Sequence, residues 1–241
     1  MLDLHCHILP ALDDGPKTLA EALEVARFCV ADGITHIVAT PHCHHILHLL
    51  RADILPHIEA FQSELNKAEI PLTIFPGSEI RTNDIALFRR EYDEGVLCHL
   101  GDNPAYSLLE FGWRGEDYPD DAPAHMRWLL ERGTQPIIAH PERHSFFQNN
   151  RERLHSLVEA GAWLQITVDS MLGNNGERPQ RAAEDYLLFY PNCVLATDAH
   201  RLSRCSGLSR GYELVRQQLG DGRETDLRER SDAVLRCMNA I

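Results

Sequence analysis

The chain has 241 residues, 44% of them hydrophobic and 24% charged, with a formal net charge of −13, the profile of a globular protein with room for one large α/β domain and little more. No apolar run approaches the roughly 18 residues of a membrane span, and the acidic balance disfavours broad binding to nucleic acid. The opening Met1-Leu2-Asp3-Leu4-His5 has neither part of a secretory signal, and the seven scattered Cys read as free thiols of a reducing compartment, so a soluble cytoplasmic protein is expected.

In chain order, a first apolar run at 2–7 reads as a strand. Thr18 followed by Glu21 then forms a capping box that opens a helix at 18–32. Strands at 34–40 and 72–79 enclose a helix at 54–67, and a helix at 84–94 leads to a strand at 106–111. Residues 112–121 read as a loop. Helix 122–132, strand 136–140, helix 151–160 and strand 163–168 follow. Helix 180–189, strand 193–197 and helix 207–219 complete the pattern, and 220–241 reads as a polar, weakly periodic tail. No Ser/Gly-rich linker divides the chain. Seven β-then-α units predict an α/β fold with a parallel sheet, and closure into a barrel fits better than an open doubly wound sheet, because no Gly-rich phosphate loop follows any strand.

The 14 His are clustered, and the chemistry-bearing side chains recur at the same point of successive units. His5 and His7 end the first strand and face one side of it. His42 follows the second, Glu79 ends the third, Glu110 lies in the fourth, His140 ends the fifth, and Asp198 with His200 follows the seventh. In parallel barrels the C-terminal strand ends converge on one face. Carboxylates gathered there would repel one another unless cations intervened, and mixed imidazole and carboxylate ligands suit Zn, Mn or Fe. Arg143, just after His140, is a candidate phosphate clamp, since guanidinium grips phosphate in a bidentate way. A thiolate phosphatase is excluded: no Cys has an Arg six positions on, and Cys205 to Arg210 is one residue short.

Taken together, His5-Cys6-His7, Asp13-Asp14-Gly15, Ala39-Thr40-Pro41-His42, Gly77-Ser78-Glu79, Leu109-Glu110-Phe111, Ala139-His140-Pro141-Glu142-Arg143, Ser170-Met171-Leu172-Gly173 and Asp198-Ala199-His200 resemble the PHP superfamily. Within it they are most similar to the bacterial capsule-associated, metal-dependent tyrosine-protein phosphatases. The resemblance runs from residue 2 to about 204. It implies one PHP-like phosphatase domain over 1–241, a distorted seven-stranded (β/α) barrel, and up to three divalent ions (Mn, Fe or Zn). His5, His7, Glu79 and Asp198 would hold one ion; Glu79 would bridge to a second with Glu110 and His140; Asp14, His42 and His200 would hold a third. It implies a second basic residue after Asp198-Ala199-His200, for which Arg204 is taken and Arg201 is the alternative. The partner implied is a phosphotyrosine protein, an autophosphorylating tyrosine kinase of polysaccharide export.

Metal-activated hydroxide attacking phosphorus in line would then cleave the ester. Asp13 is expected to orient a ligand His, and Trp113 and Tyr118 to stack on an aromatic substrate. His44, His45 and His48 have no assigned role. Two other functions share much of this pattern: a phosphatase of a small metabolite such as histidinol phosphate, and a barrel amidohydrolase. The latter usually bridges its metals with a carbamylated Lys where this chain has Glu79.

Overall fold

All five residues of the first strand, Leu2–Cys6 (β1), are buried, as expected of a parallel strand covered on both faces. The computed structural model describes residues 1–115 and 118–239; Glu116 and Asp117 of the expected loop, and Ala240 and Ile241 of the expected tail, lie outside the described residues. After β1 come α1 (Leu19–Ala31), β2 (His36–Ala39), β3 (His42–Cys43), α2 (Arg51–Lys67), β4 (Thr73–Pro76), β5 (Glu79–Arg81) and α3 (Ile85–Asp93). Then follow β6 (Tyr106–Glu110), α4 (Ala122–Leu130), β7 (Gln135–Ala139), α5 (Ser145–Asn149), α6 (Arg151–Glu159) and β8 (Trp163–Thr167). The chain ends with α7 (Val168–Met171), α8 (Glu177–Phe189), β9 (Cys193–Ala196), α9 (Leu208–Leu219) and α10 (Asp221–Met238).

All ladders are parallel, in the orders β1-β2-β4 and β3-β5-β6-β7-β8-β9. The second expected strand, 34–40, is followed beyond its end by a separate short strand, β3, and the third, 72–79, divides in two. The gap before β3 falls at Thr40-Pro41, where Pro41 has no N–H for a ladder. The third breaks at Gly77, where an added Cβ would sit 2.6 Å from Val38 Cγ1. The outer strands β1 and β9 also meet: Asp198 N–H donates to His5 O and His7 N–H to Ala199 O, both at 2.9 Å. Asp3 accepts the Thr197 N–H at 3.0 Å beside them.

The core has two compartments. The larger lies between strands and helices, with Val25, Phe61, Phe88, Met126, Leu154 and Tyr212 among its members. The smaller gathers Leu2, Leu4, Val38, Leu108, Ile137, Val194 and Ala196 from one face of the strands, closed by Val234 and Met238. Those last two belong to α10, so the segment expected as a tail is a helix that completes this compartment. Burying each such side chain contributes about 1.5–3 kcal/mol. The Thr18 hydroxyl caps α1 by accepting the Glu21 N–H at 3.2 Å, while the Glu21 carboxylate turns to the Lys17 N–H at 2.7 Å. Among the described residues, no helix is long and apolar enough to cross a membrane.

One core residue gives the fold a pH dependence of its own. His125 of α4 is buried, and neither ring nitrogen has a hydrogen-bond partner among the described residues. It stands edge-on to Phe88 and stacks on Trp128. Burial, then Arg89, pushes its pKa down to about 3. The folded chain keeps it neutral while the unfolded chain protonates it below about 6.5. This term is therefore absent above pH 6.5 and costs stability as pH falls from there toward 3. His125→Leu is expected to relieve that loss. In urea unfolding at pH 7 and pH 5, the wild type should lose about 1–2 kcal/mol more than the variant.

Candidate metal centre

The strand face that carries the smaller core turns polar at one end. Glu110 stands two residues beyond Leu108 and Gln165 two beyond Trp163, so the period of two keeps both on that face. In β1 the register shifts between Asp3 and Cys6. Past it, Cys6 and Ile8 pack in the outer core, and His5 and His7, of opposite parity, turn inward. His140 and Asp198 have φ of +32° and +51°, a left-handed backbone that costs a non-glycine residue about 1–2 kcal/mol and re-aims both side chains after their strands. Gly15 has no room for a Cβ, which would lie 2.2 Å from His7 O, and this close approach seats Asp13 and Asp14 against the cluster.

The centre of the cluster is Glu79, 1% exposed. Its Oε1 accepts from His140 Nε2 at 2.7 Å and lies 3.6 Å from His5 Nε2. Its Oε2 lies 2.8 Å from His42 Nδ1 and 3.5 Å from His7 Nε2. Asp198 Oδ1 is 3.3 Å from His5 Nε2, 3.4 Å from His7 Nε2 and 3.6 Å from His200 Nδ1. Asp14 Oδ1 is 3.2 Å from His200 Nε2 and 3.4 Å from His42 Nε2. Glu110 Oε1 is 3.9 Å from His140 Nε2, while Arg81 holds its other oxygen with bonds of 2.6 and 2.9 Å.

Two further residues aim the imidazoles. His5 Nδ1 donates to Gln165 Oε1 at 2.8 Å and His7 Nδ1 to Asp13 Oδ2 at 2.7 Å. Each bond leaves the Nε2 lone pair pointing into the cluster, the arrangement of a metal-ligating histidine. Asp13 also accepts the N–H groups of Gly15 and His42.

The electrostatics call for cations at this spot. Burial opposes charge on His5, His7 and His42, yet the surrounding carboxylates win: all three are raised, His42 to about 10. Burial likewise opposes ionised Glu79 and Asp198, and the imidazoles hold both well below the usual carboxylate range. Glu110 goes the other way, pushed up to about 7 by burial and then by Glu79.

The residues fit divalent ions on two observations. Donor atoms about 2.1 Å from a shared ion stand about 3–3.5 Å apart, and most of the distances above fall there. Glu79 Oε2, Glu110 Oε1 and His42 Nδ1 are buried without hydrogen-bond partners among the described residues, and they converge. Four overlapping groups arise: His7, Asp14, His42 and His200; His5, Glu79 and His140; His5, His7 and Asp198; and His42, Glu79 and Glu110. All nine candidate ligands therefore come together.

A cavity of about 370 Å³ opens onto the cluster, with Arg143, Arg204, His44, Leu47 and Trp113 also on its wall. Of the two candidate arginines, Arg204 lines it and Arg201 is exposed elsewhere. Arg143 is ion-paired with Asp198 and sits 5.1 Å over the Trp113 ring. Trp113 stacks on His140 and His144 and stays 44% exposed. Tyr118 packs instead on Phe111, Phe146 and Phe147, away from the cavity. His48 pairs with Glu91 at 2.8 Å. Arg81 and Gln165 escape a reading for ligands because Arg is always cationic and Gln is not among the usual ligands of Zn, Mn or Fe; the signal for Gln165 is a lone amide in the apolar strand Trp163–Thr167.

Asp13→Asn removes the charge that orients His7 and should weaken divalent-ion binding about 10–100-fold. Competition with a metal-chelating dye reads this directly, and an unchanged affinity would separate Asp13 from the centre.

A family model for capsular polysaccharide synthesis, CpsB/CapC, matches residues 1–235. The tyrosine-protein phosphatase YwqE of Bacillus subtilis (strain 168) is 36% identical over 205 residues, covering 84% of this chain and 78% of that protein. The tyrosine-protein phosphatase CpsB of Streptococcus pneumoniae is 26% identical over 236 residues, covering 94% of both. A structure from the work on YwqE and CpsB, described as unique metal-dependent tyrosine phosphatases, superposes with a TM-score of 0.90 at 32% identity, over 98% of this chain and 95% of that one. An organophosphorus hydrolase from Deinococcus radiodurans shares the fold alone, with a TM-score of 0.56 at 14% identity over 97% and 91% of the chains.

Proposed function

The chain belongs to the CpsB/CapC family of capsular polysaccharide synthesis, and from that premise we propose that it is a metal-dependent phosphatase that removes phosphate from phosphotyrosine in a bacterial protein. The observation that carries the reading is the convergence of nine metal-type donors in overlapping groups, seven of them on the wall of one cavity that also bears Arg143 and Arg204. The substrate we favour is a cytoplasmic tyrosine kinase that phosphorylates itself. We read β2 with β3, and β4 with β5, as broken staves of a distorted seven-stranded (β/α) barrel within one PHP-like domain of residues 1–241. The links between β1 and β9 support that closure.

His5, His7, Glu79 and Asp198 would hold one ion; Glu79, Glu110 and His140 a second; and Asp14, His42 and His200 a third, with Mn, Fe or Zn all compatible with this donor set. When bound, such ions supply a nucleophile from water at neutral pH and neutralise phosphoryl oxygens. The chain's own residues do the rest. Arg143 and Arg204 grip the equatorial oxygens, where charge spreads in the transition state, and together with bound ions they would offset the carboxylates of Asp14, Glu79, Glu110 and Asp198 on the cavity wall. Trp113 offers the exposed face of an aromatic wall to the tyrosyl ring. His44 Nδ1 accepts the N–H groups of Ile46 and Leu47 at 3.2 and 3.1 Å, so its neutral ring keeps its proton on Nε2, the atom left to donate a hydrogen bond, without giving up the proton, to the departing phenolate.

The experiment compares a phosphotyrosine peptide with histidinol phosphate, using protein stripped by a chelator and reloaded with Mn, Fe or Zn. The peptide should be preferred, and activity should require the metal. Arg143→Ala should lower kcat/KM for the peptide about 10–100-fold, the value of a charged hydrogen bond. Preference for histidinol phosphate would keep the centre and replace the substrate.

A further inference from the structure

Beside the metal centre lies a second cavity, of about 340 Å³, and His44 and Arg81 line both. Its floor is made by Cys43 and Ile80, paired across the β3–β5 ladder, and by Leu87 and Phe88 of α3. Most polar groups at its edge are already engaged, and His45 stands there tilted against the His44 ring. Asp84 caps α3 by accepting the Leu87 N–H at 2.9 Å, and Asn83 accepts the Gly112 N–H at 2.7 Å. Glu91 is paired with His48 and Arg81 with Glu110. Hydrocarbon, a thiol and the rings of His44 and His45 are left to face the space, which suits an aliphatic or aromatic side chain rather than a charge.

The position of the cavity names the source of that side chain. A phosphotyrosine that reaches the metal centre brings its own polypeptide across the mouth. Successive Cα atoms lie about 3.8 Å apart, so a near neighbour passes over the partition formed by His44 and Arg81. Resting on the phosphotyrosine reading above, we infer that the second cavity is a specificity subsite for an apolar residue flanking the phosphotyrosine. An ionised side chain would lose water there without a free charge of opposite sign to meet it, because Arg81 and His48 are already paired with carboxylates, so the subsite disfavours acidic flanks.

The test uses the metal-loaded full chain and phosphotyrosine peptides of one length, in which a leucine or an aspartate is walked through the flanking positions of a serine background. The small aryl ester p-nitrophenyl phosphate, which fills only the first cavity, is run beside them. Leucine at one favoured position should raise kcat/KM roughly tenfold over serine, the expected effect of burying such a side chain, and aspartate there should lower it. Leu87→Trp fills the space and Leu87→Glu charges it. Both should erase the leucine preference while p-nitrophenyl phosphate turnover, which also reports a folded protein, stays unchanged. Equal kcat/KM across the peptides, or a preference that survives both variants, overturns the subsite and leaves the phosphatase reading standing. No turnover of the aryl ester or of any peptide overturns both.

Discussion

A buried carboxylate ringed by imidazoles sets the terms for the rest of this molecule. Glu79 is 1% exposed, and its two oxygens lie 2.7–3.6 Å from ring nitrogens of His5, His7, His42 and His140. An ionised carboxylate out of water costs several kcal/mol unless positive charge meets it. Protonated imidazoles can meet it, and so can divalent ions. Only ions leave the histidine nitrogens free as electron-pair donors, and only ions also answer the unpartnered oxygens of Glu79 and Glu110. The same choice explains why Asp13 and Gln165 fix the far nitrogens of His7 and His5: an imidazole that must present one lone pair has to be told which nitrogen keeps the proton.

The fold meets this demand by repetition. Parallel strands bring chain segments far apart in sequence to one edge, and the two-residue period converts an apolar inner face into a polar end without any change of direction. Where the period fails, local backbone corrects it. The register shift in β1 brings His5 and His7 inward, and left-handed residues at 140 and 198 turn the last ligands back. The helix α10 stands at the other limit of the same face, where Val234 and Met238 close the small core beneath the cluster.

Much of this was legible in the residues. The strands at 136–140 and 193–197 announce themselves by aliphatic and β-branched runs, those at 106–111 and 163–168 less so because a Ser and a Gln interrupt them, and the ligands stand at strand ends because that is where a parallel sheet can gather them. The breaks at Thr40-Pro41 and Gly77 were harder to read, since a proline and a glycine also occur in ordinary strand-end turns. The helix at 221–238 was hidden by its charges. Its buried Leu227, Val234 and Met238 are spaced too widely among Arg and Glu residues to give a strong period. Arg204 could not be separated from Arg201 by sequence because the short helical turn at Leu202–Arg204 decides which of the two reaches the cavity. Trp113 and Tyr118 had equal claims as aromatic residues of one loop, and packing against Phe111 and Phe147 decided against Tyr118.

The central claim is that the Glu79 carboxylate organises a divalent-metal centre. Metal content per chain, measured by elemental analysis after gel filtration in wild type and Glu79→Gln, tests it most directly. Glutamine keeps the shape and removes the charge. The wild type should retain Mn, Fe or Zn, while the variant, still folded by circular dichroism, should lose more than one ion's worth, because Glu79 faces more than one of the donor groups. Equal metal content in the two proteins, or none in the wild type after loading, would contradict it.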